Sequence, residues 1–204
     1  MSRKNRFVLL LLCSLFVACT GKSFETEKEL RAFINDEDNG YKYTKIIGGT
    51  EYSLLYKPTD LLVRQELGDA KPDEKKLQVL RNKYGQYMYF TLSMSLNGKE
   101  LLSNVAGNKA RFGAMVNELA FGMDQKVHVY TKQKDTLAMT DFIYPRMYGM
   151  SGSTNILLVY PKDEKFLSED YLTLAIEDLG FNTGEIKFKI DTKAILDQPY
   201  LRFN

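Results

Sequence analysis

Few side chains in this chain of 204 residues have the types and spacing that chemistry needs. His128 is the only histidine. A catalytic imidazole needs a nucleophile to serve and a group to orient it, and a metal site needs further nitrogen or sulfur ligands. His128 sits between Val127 and Val129 in an alternating stretch, so it is expected on the wet face of a strand. Three adjacent acidic pairs, Asp163-Glu164, Glu169-Asp170 and Glu177-Asp178, raise the question of hydrolysis. Two carboxylates share acid and base roles only when they flank a bond at a set separation. Neighbours on a strand point to opposite faces, and acidic residues are ordinary at turns.

Two further patterns also fail on spacing. Asp36-Glu37-Asp38-Asn39-Gly40 suggests a calcium loop, but a loop of that type needs Gly at its sixth position and Glu at its twelfth. Those positions hold Tyr41 and Ile47. Gly48-Gly49 lacks the Lys and Ser/Thr that complete a phosphate-binding loop. It reads as a turn. No catalytic residue, metal site or cofactor is therefore expected.

One loop is richer. Tyr144-Pro145-Arg146-Met147-Tyr148-Gly149-Met150 places two Tyr, one Arg and two Met between two strong strand patterns. Tyr, Arg and Met are enriched at protein interfaces, and Tyr also stacks on sugars. Tyr144, Arg146, Met147 and Tyr148 are the expected binding residues. The competing expectation is that Tyr144 and Met147 simply tuck under the sheet.

The elements that would carry this loop follow from periodicity. Thr26 with Glu29 predicts a capped helix to about Asp36, with Leu30, Phe33 and Ile34 on one face. Residues 41–47 and 51–56 predict a hairpin about Gly48-Gly49. Pro58 to Leu67 and Pro72 to Tyr84 predict helical pieces. Met88, Phe90, Leu92, Met94 and Leu96 alternate with polar residues, which predicts a strand. Residues 109–123 return to helical spacing. Strands are then expected over 126–131, 136–143, 155–160, 171–176 and 185–190. The late strands have no helices between them, so antiparallel pairing is expected. The predicted fold class is α+β and mostly antiparallel β, a sheet or two-sheet sandwich with about three helical segments.

The N-terminus defines the cellular address. Arg3, Lys4 and Arg6 precede an apolar run, Phe7 to Val17, too short for the roughly 20 residues of a spanning helix. Phe16-Val17-Ala18-Cys19 resembles the lipobox of bacterial lipoproteins. The resemblance implies a signal peptide over 1–18, cleavage before Cys19, and acyl chains such as palmitate on Cys19. A lipidated tether over 19–25 and one β-rich domain over 26–204 are expected. Losing Arg3, Lys4 and Arg6 reduces 28 basic residues to 25 against 26 acidic ones. A near-neutral domain has no concentrated basic face for nucleic acid. Cys13 would leave with the signal, so the folded body would hold no disulfide and no thiol nucleophile.

Together with Tyr56-Lys57-Pro58-Thr59-Asp60-Leu61-Leu62 and Tyr144-Pro145-Arg146-Met147-Tyr148-Gly149, the lipobox is similar to that of a family of small, uncharacterised lipoproteins of Bacteroidota. That resemblance implies a cell-envelope location. Thr20 is not the Asp that retains enterobacterial lipoproteins at the inner membrane, so the outer membrane is expected. The segment after Cys19 lacks the acidic residues of surface export, which favours the periplasmic face. The functional expectation is a non-enzymatic, lipid-anchored protein that binds an envelope protein partner, as in a secretion or motility assembly. The alternative is a glycan-binding module, and a hydrolase ranks third.

Overall fold

The computed structural model describes residues 21–68, 70–147 and 149–203. The signal segment, Cys19, Thr20 and Tyr148 lie outside the described residues. The chain opens with β1 (Ser23–Phe24), α1 (Glu27–Asn35), β2 (Lys42–Ile47) and β3 (Thr50–Lys57). The Thr26 side chain accepts from the Glu29 amide while Glu29 reaches back to Thr26, so the predicted capping box starts α1. Gly48 and Gly49 join β2 to β3 with φ of +59° and +79°, the two left-handed residues that a tight hairpin turn requires. Two helices follow, α2 (Thr59–Leu67) and α3 (Glu74–Gly85), and then β4 (Tyr87–Leu96).

The second half begins with α4 (Leu101–Val105) and α5 (Lys109–Phe121). It continues through β5 (Val127–Tyr130), β6 (Thr136–Leu137), β7 (Asp141–Ile143) and β8 (Thr154–Pro161). The chain ends with α6 (Glu164–Leu167), β9 (Tyr171–Ile176), β10 (Ile186–Asp191), α7 (Thr192–Leu196) and β11 (Tyr200–Leu201). The fold is α+β with two main antiparallel sheets, ordered β2-β3-β4-β8-β7 and β10-β9-β5-β6.

Alternation decides which faces meet. On β4, Met88, Phe90, Leu92 and Met94 are at most 1 % exposed, and Phe90 and Leu92 lie opposite Leu158 and Ile156 of β8. On the other sheet, Leu172, Leu174 and Ile176 are buried beside Ile190, Phe188 and Ile186. The two inner faces form one continuous hydrophobic core. Tyr160 crosses that core to donate to the Val127 carbonyl at 3.3 Å, and the Tyr52 hydroxyl meets Thr183 Oγ1 at 3.0 Å. Burying these phenols pushes their pKa values up, because desolvation disfavours the phenolate.

Three differences from the sequence reading have physical causes. The described residues hold seven α-helices: α1, α2, α3 and α5 fall where helical pieces were expected, and α4, α6 and α7, four or five residues long, were not read. A single turn shows too little periodicity to be read. The stretch 136–143 is not one strand: β6 joins the four-stranded sheet and β7 the five-stranded one. The Thr140 amide donates to the Val159 carbonyl and turns the chain across. Ser23 and Phe24, read as tether, pair in parallel with Tyr200 and Leu201.

Candidate functional site

The loop after β7 lies against the helices that follow β4. A cleft of about 350 Å³ opens between them. One wall is Leu102 and Ala106, from α4 and its end; another is Phe112 and Val116 of α5; the third is Tyr144, Arg146 and Gly149. Asn108 caps α5 by accepting the Arg111 amide at 3.0 Å. Met115 and Leu119 then face the core, and Phe112 and Val116, one turn apart, face the cleft.

Glu100 holds the loop side. It is 2 % exposed and immediately precedes α4, but its side chain does not cap that helix. Oε2 accepts the Gly149 amide at 3.2 Å and Oε1 accepts the Ser151 amide at 3.1 Å. Gly149 has φ of +82°, and the Met150 amide donates to the Met147 carbonyl at 3.0 Å. That left-handed residue at the third position of the turn suits glycine. Below, the Leu101 amide donates to the buried Thr154 Oγ1 at 2.9 Å, which ties α4 to the first residue of β8. Glu100 thus faces two aligned N–H dipoles and, among the described residues, no cation within ion-pair distance.

The surface of the cleft is mainly apolar. Phe112 and Met147 are each 37 % exposed and Met150 is 80 % exposed. Tyr144 packs partly against the core. Arg146 is exposed at the rim and makes no ion pair among the described residues. The structure therefore brings Tyr144 and Arg146 to one opening; Met147 is in the same loop but does not line the cleft, and Tyr148 lies outside the described residues. Glu100, Leu102, Phe112 and Val116 were not read as site residues. The spacing of Phe112 and Val116 was visible as a helix face, but nothing in the sequence linked Glu100 to residues about fifty positions on.

The other chemistry-bearing residues are otherwise engaged. His128 Nε2 stands 3.3 Å from Glu177, and Lys126 Nζ reaches the same carboxylate at 3.0 Å. Hydrogen bonds from Lys126 first and His128 second hold the Glu177 carboxyl below its usual range. Asp178 accepts the amides of Gly180 and Phe181 at 2.9 Å each and so organises a turn. Asp163 caps α6 through the Lys165 amide at 2.8 Å, and Asp36 accepts the Asp38 amide at 3.1 Å. No group of three His, Cys, Asp or Glu side chains among the described residues is placed to hold a metal ion. No helix among them is long and apolar enough to cross a membrane.

No family model matches the chain, and no curated protein matches it. A crystal structure of a protein of unknown function from Burkholderia pseudomallei K96243 is similar over 81 % of this chain and 85 % of that one. The identity is 13 % and the TM-score 0.42, a likeness that assigns no function.

Proposed function

We propose that this protein is a lipid-anchored module of the bacterial cell envelope that binds a protein partner through the cleft beside Arg146 and performs no catalysis. The observation that carries the reading is the cleft itself, with apolar walls and an exposed Arg146 at its rim, set against a buried clamp, Glu100. Loops that expose Met, Arg and aromatic groups together have the composition of interface cores. An apolar side chain from a partner fills such a cleft, while Arg146 is free to pair with a carboxylate at the rim.

The anchor belongs to the same proposal. On this reading the lipobox directs acyl chains onto Cys19, and each buried methylene would contribute about 0.8 kcal/mol to membrane attachment. Ser23 and Phe24 are already paired with β11, so only a few residues separate Cys19 from the folded body. The domain would be held close to the outer membrane, periplasmic face inward, where a tethered partner gains effective concentration.

Mild crosslinking of the intact protein in its own membranes, followed by purification, tests this directly. A stoichiometric envelope protein should co-purify, and Cys19→Ala should abolish both membrane attachment and that recovery. Recovery of the protein alone from intact membranes contradicts the reading.

A further inference from the structure

A second groove lies on the outer face of the five-stranded sheet, and no residue of the cleft lines it. Its volume is about 530 Å³. Leu157 of β8 forms the floor, Tyr84, Tyr87 and Tyr89 form one wall, Gln65 of α2 stands opposite, and Asp141 of the edge strand β7 closes the rim. The three rings meet edge to face: Tyr84 and Tyr89 have centroids 6.1 Å apart, and Tyr87 and Tyr89 are 6.3 Å apart. Tyr84 and Tyr87 are half-buried, so part of each ring faces the groove.

Tyr89 is the informative side chain. The residue is 8 % exposed, but its hydroxyl is not among the buried unpaired atoms, which are those of Thr50 and Thr59; with no hydrogen bond among the described residues, it opens to the groove. Desolvation, with Tyr84 and Tyr87 nearby, pushes its pKa up to about 12. A tyrosine with an apolar body and a hydroxyl open to a groove offers a ligand both a ring surface and a hydrogen-bonding group. Tyr87 is half-buried and Gln65 exposed, so the Tyr87 hydroxyl and the Gln65 amide are also open to a ligand. Tyr84 differs, because its hydroxyl donates to Glu66, whose carboxylate Lys83 also holds at 2.7 Å.

Charge narrows the ligand class. Among the described residues the lining contains no Lys or Arg, and its acids are Glu66 and Asp141. Glu66 is neutralised by Lys83. Asp141 keeps one carboxylate oxygen free, since only Oδ1 accepts its neighbour's amide, Phe142 N–H, at 2.8 Å. An anionic ligand would be repelled and would find no counter-charge. A neutral ligand with apolar C–H faces and hydroxyls fits the tyrosine wall, the aliphatic floor and the polar rim.

We propose that this groove binds a neutral oligosaccharide. One pyranose stacks its C–H face on Tyr84 and Tyr87, and its hydroxyls bond to Tyr89, Gln65 and the free oxygen of Asp141. The inference is independent of the protein-binding cleft and stands or falls separately from it.

The chain has 13 Tyr, of which three line the groove, so binding is read by titration calorimetry rather than by tyrosine emission. Full-length protein, in a detergent without sugar headgroups, is titrated with maltotetraose, cellotetraose, chitotetraose and mannotetraose, with tetragalacturonate as the anionic comparison. At least one neutral sugar should give a saturable heat change. Tyr87→Ala should weaken that binding by about tenfold or more, and Arg146→Ala should leave it unchanged. Tyr89→Phe removes only the unpaired hydroxyl, so it should weaken binding several-fold without lowering the melting temperature. Silence from all four neutral sugars overturns the proposal, as does binding that Tyr87→Ala and Tyr89→Phe leave intact, or equal binding of tetragalacturonate.

Discussion

The Glu100 carboxylate accepts the Gly149 backbone amide at 3.2 Å, and this bond, with its twin to Ser151, fixes one side of the cleft. The two partners lie on opposite sides of α4 and α5 in the sequence. Removing the acceptor leaves two part-buried N–H groups unpaired, each costing about 1–3 kcal/mol. Glu100→Ala should therefore destabilise the protein by about 2–4 kcal/mol in urea unfolding, and Glu100→Gln, which keeps one acceptor oxygen, by about half as much. A loss below about 0.5 kcal/mol would mean that the clamp does not hold the loop.

A second buried carboxylate closes the fold. Asp60, its side chain 4 % exposed, takes Arg81 Nε at 2.8 Å and Nη2 at 2.7 Å, and it also accepts the Leu201 amide at 2.8 Å. Removing one partner of a buried pair typically costs about 3–5 kcal/mol, and Asp60→Ala should fall in that range. Hydrogen exchange should locate the damage at β11 and its partner β1. Protection of the Leu201 amide equal to that of the unaltered protein would contradict this.

Asp178 predicts the acid behaviour. Burial raises its pKa, but the amides of Phe181, Gly184 and Gly180 outweigh that and hold it below the ordinary 3.8. A carboxyl depressed in the folded state adds stability above its unfolded value and loses it as pH falls through the folded value. Melting temperature should therefore drop from about pH 5 downward, and Asp178→Asn should lower stability at neutral pH while flattening that acid limb. Parallel acid limbs in the two proteins would refute the assignment.

Within the cleft, contributions should be uneven. Phe112 lines it, whereas Met150 stands mostly in solvent at 80 % exposure. Central anchors dominate interfaces, so Phe112→Ala should weaken partner binding by about 2 kcal/mol, roughly thirtyfold in Kd, and Met150→Ala by less than about threefold. Titration of the isolated partner against each variant measures both, and equal losses would argue against a cleft that seats a side chain.

Local pattern carried much of the fold. The capping box of Thr26 and Glu29, the alternation of Met88 to Met94 and that of Ile186 to Ile190 each describe elements whose burial repeats at a fixed period. The same reading placed His128 on the wet strand face, and its side chain is 38 % exposed there. The site was only half legible. Tyr144 and Arg146 announced themselves by composition, but Glu100 carries no local signal, because its role depends on amides brought to it by tertiary folding. The split between β6 and β7 was hidden for a similar reason: which sheet a short strand joins is set by its partner, not by its own residues.

The most direct test of the cleft uses a photo-crosslinking residue in place of Met150, in cells producing the otherwise intact protein, compared with the same residue in place of Leu196 on α7, which is 61 % exposed. The account predicts one discrete adduct from position 150, absent from position 196, and lost when Phe112→Asp places a charge in the cleft. Adducts of equal yield from both positions, or an adduct that Phe112→Asp leaves untouched, would contradict it.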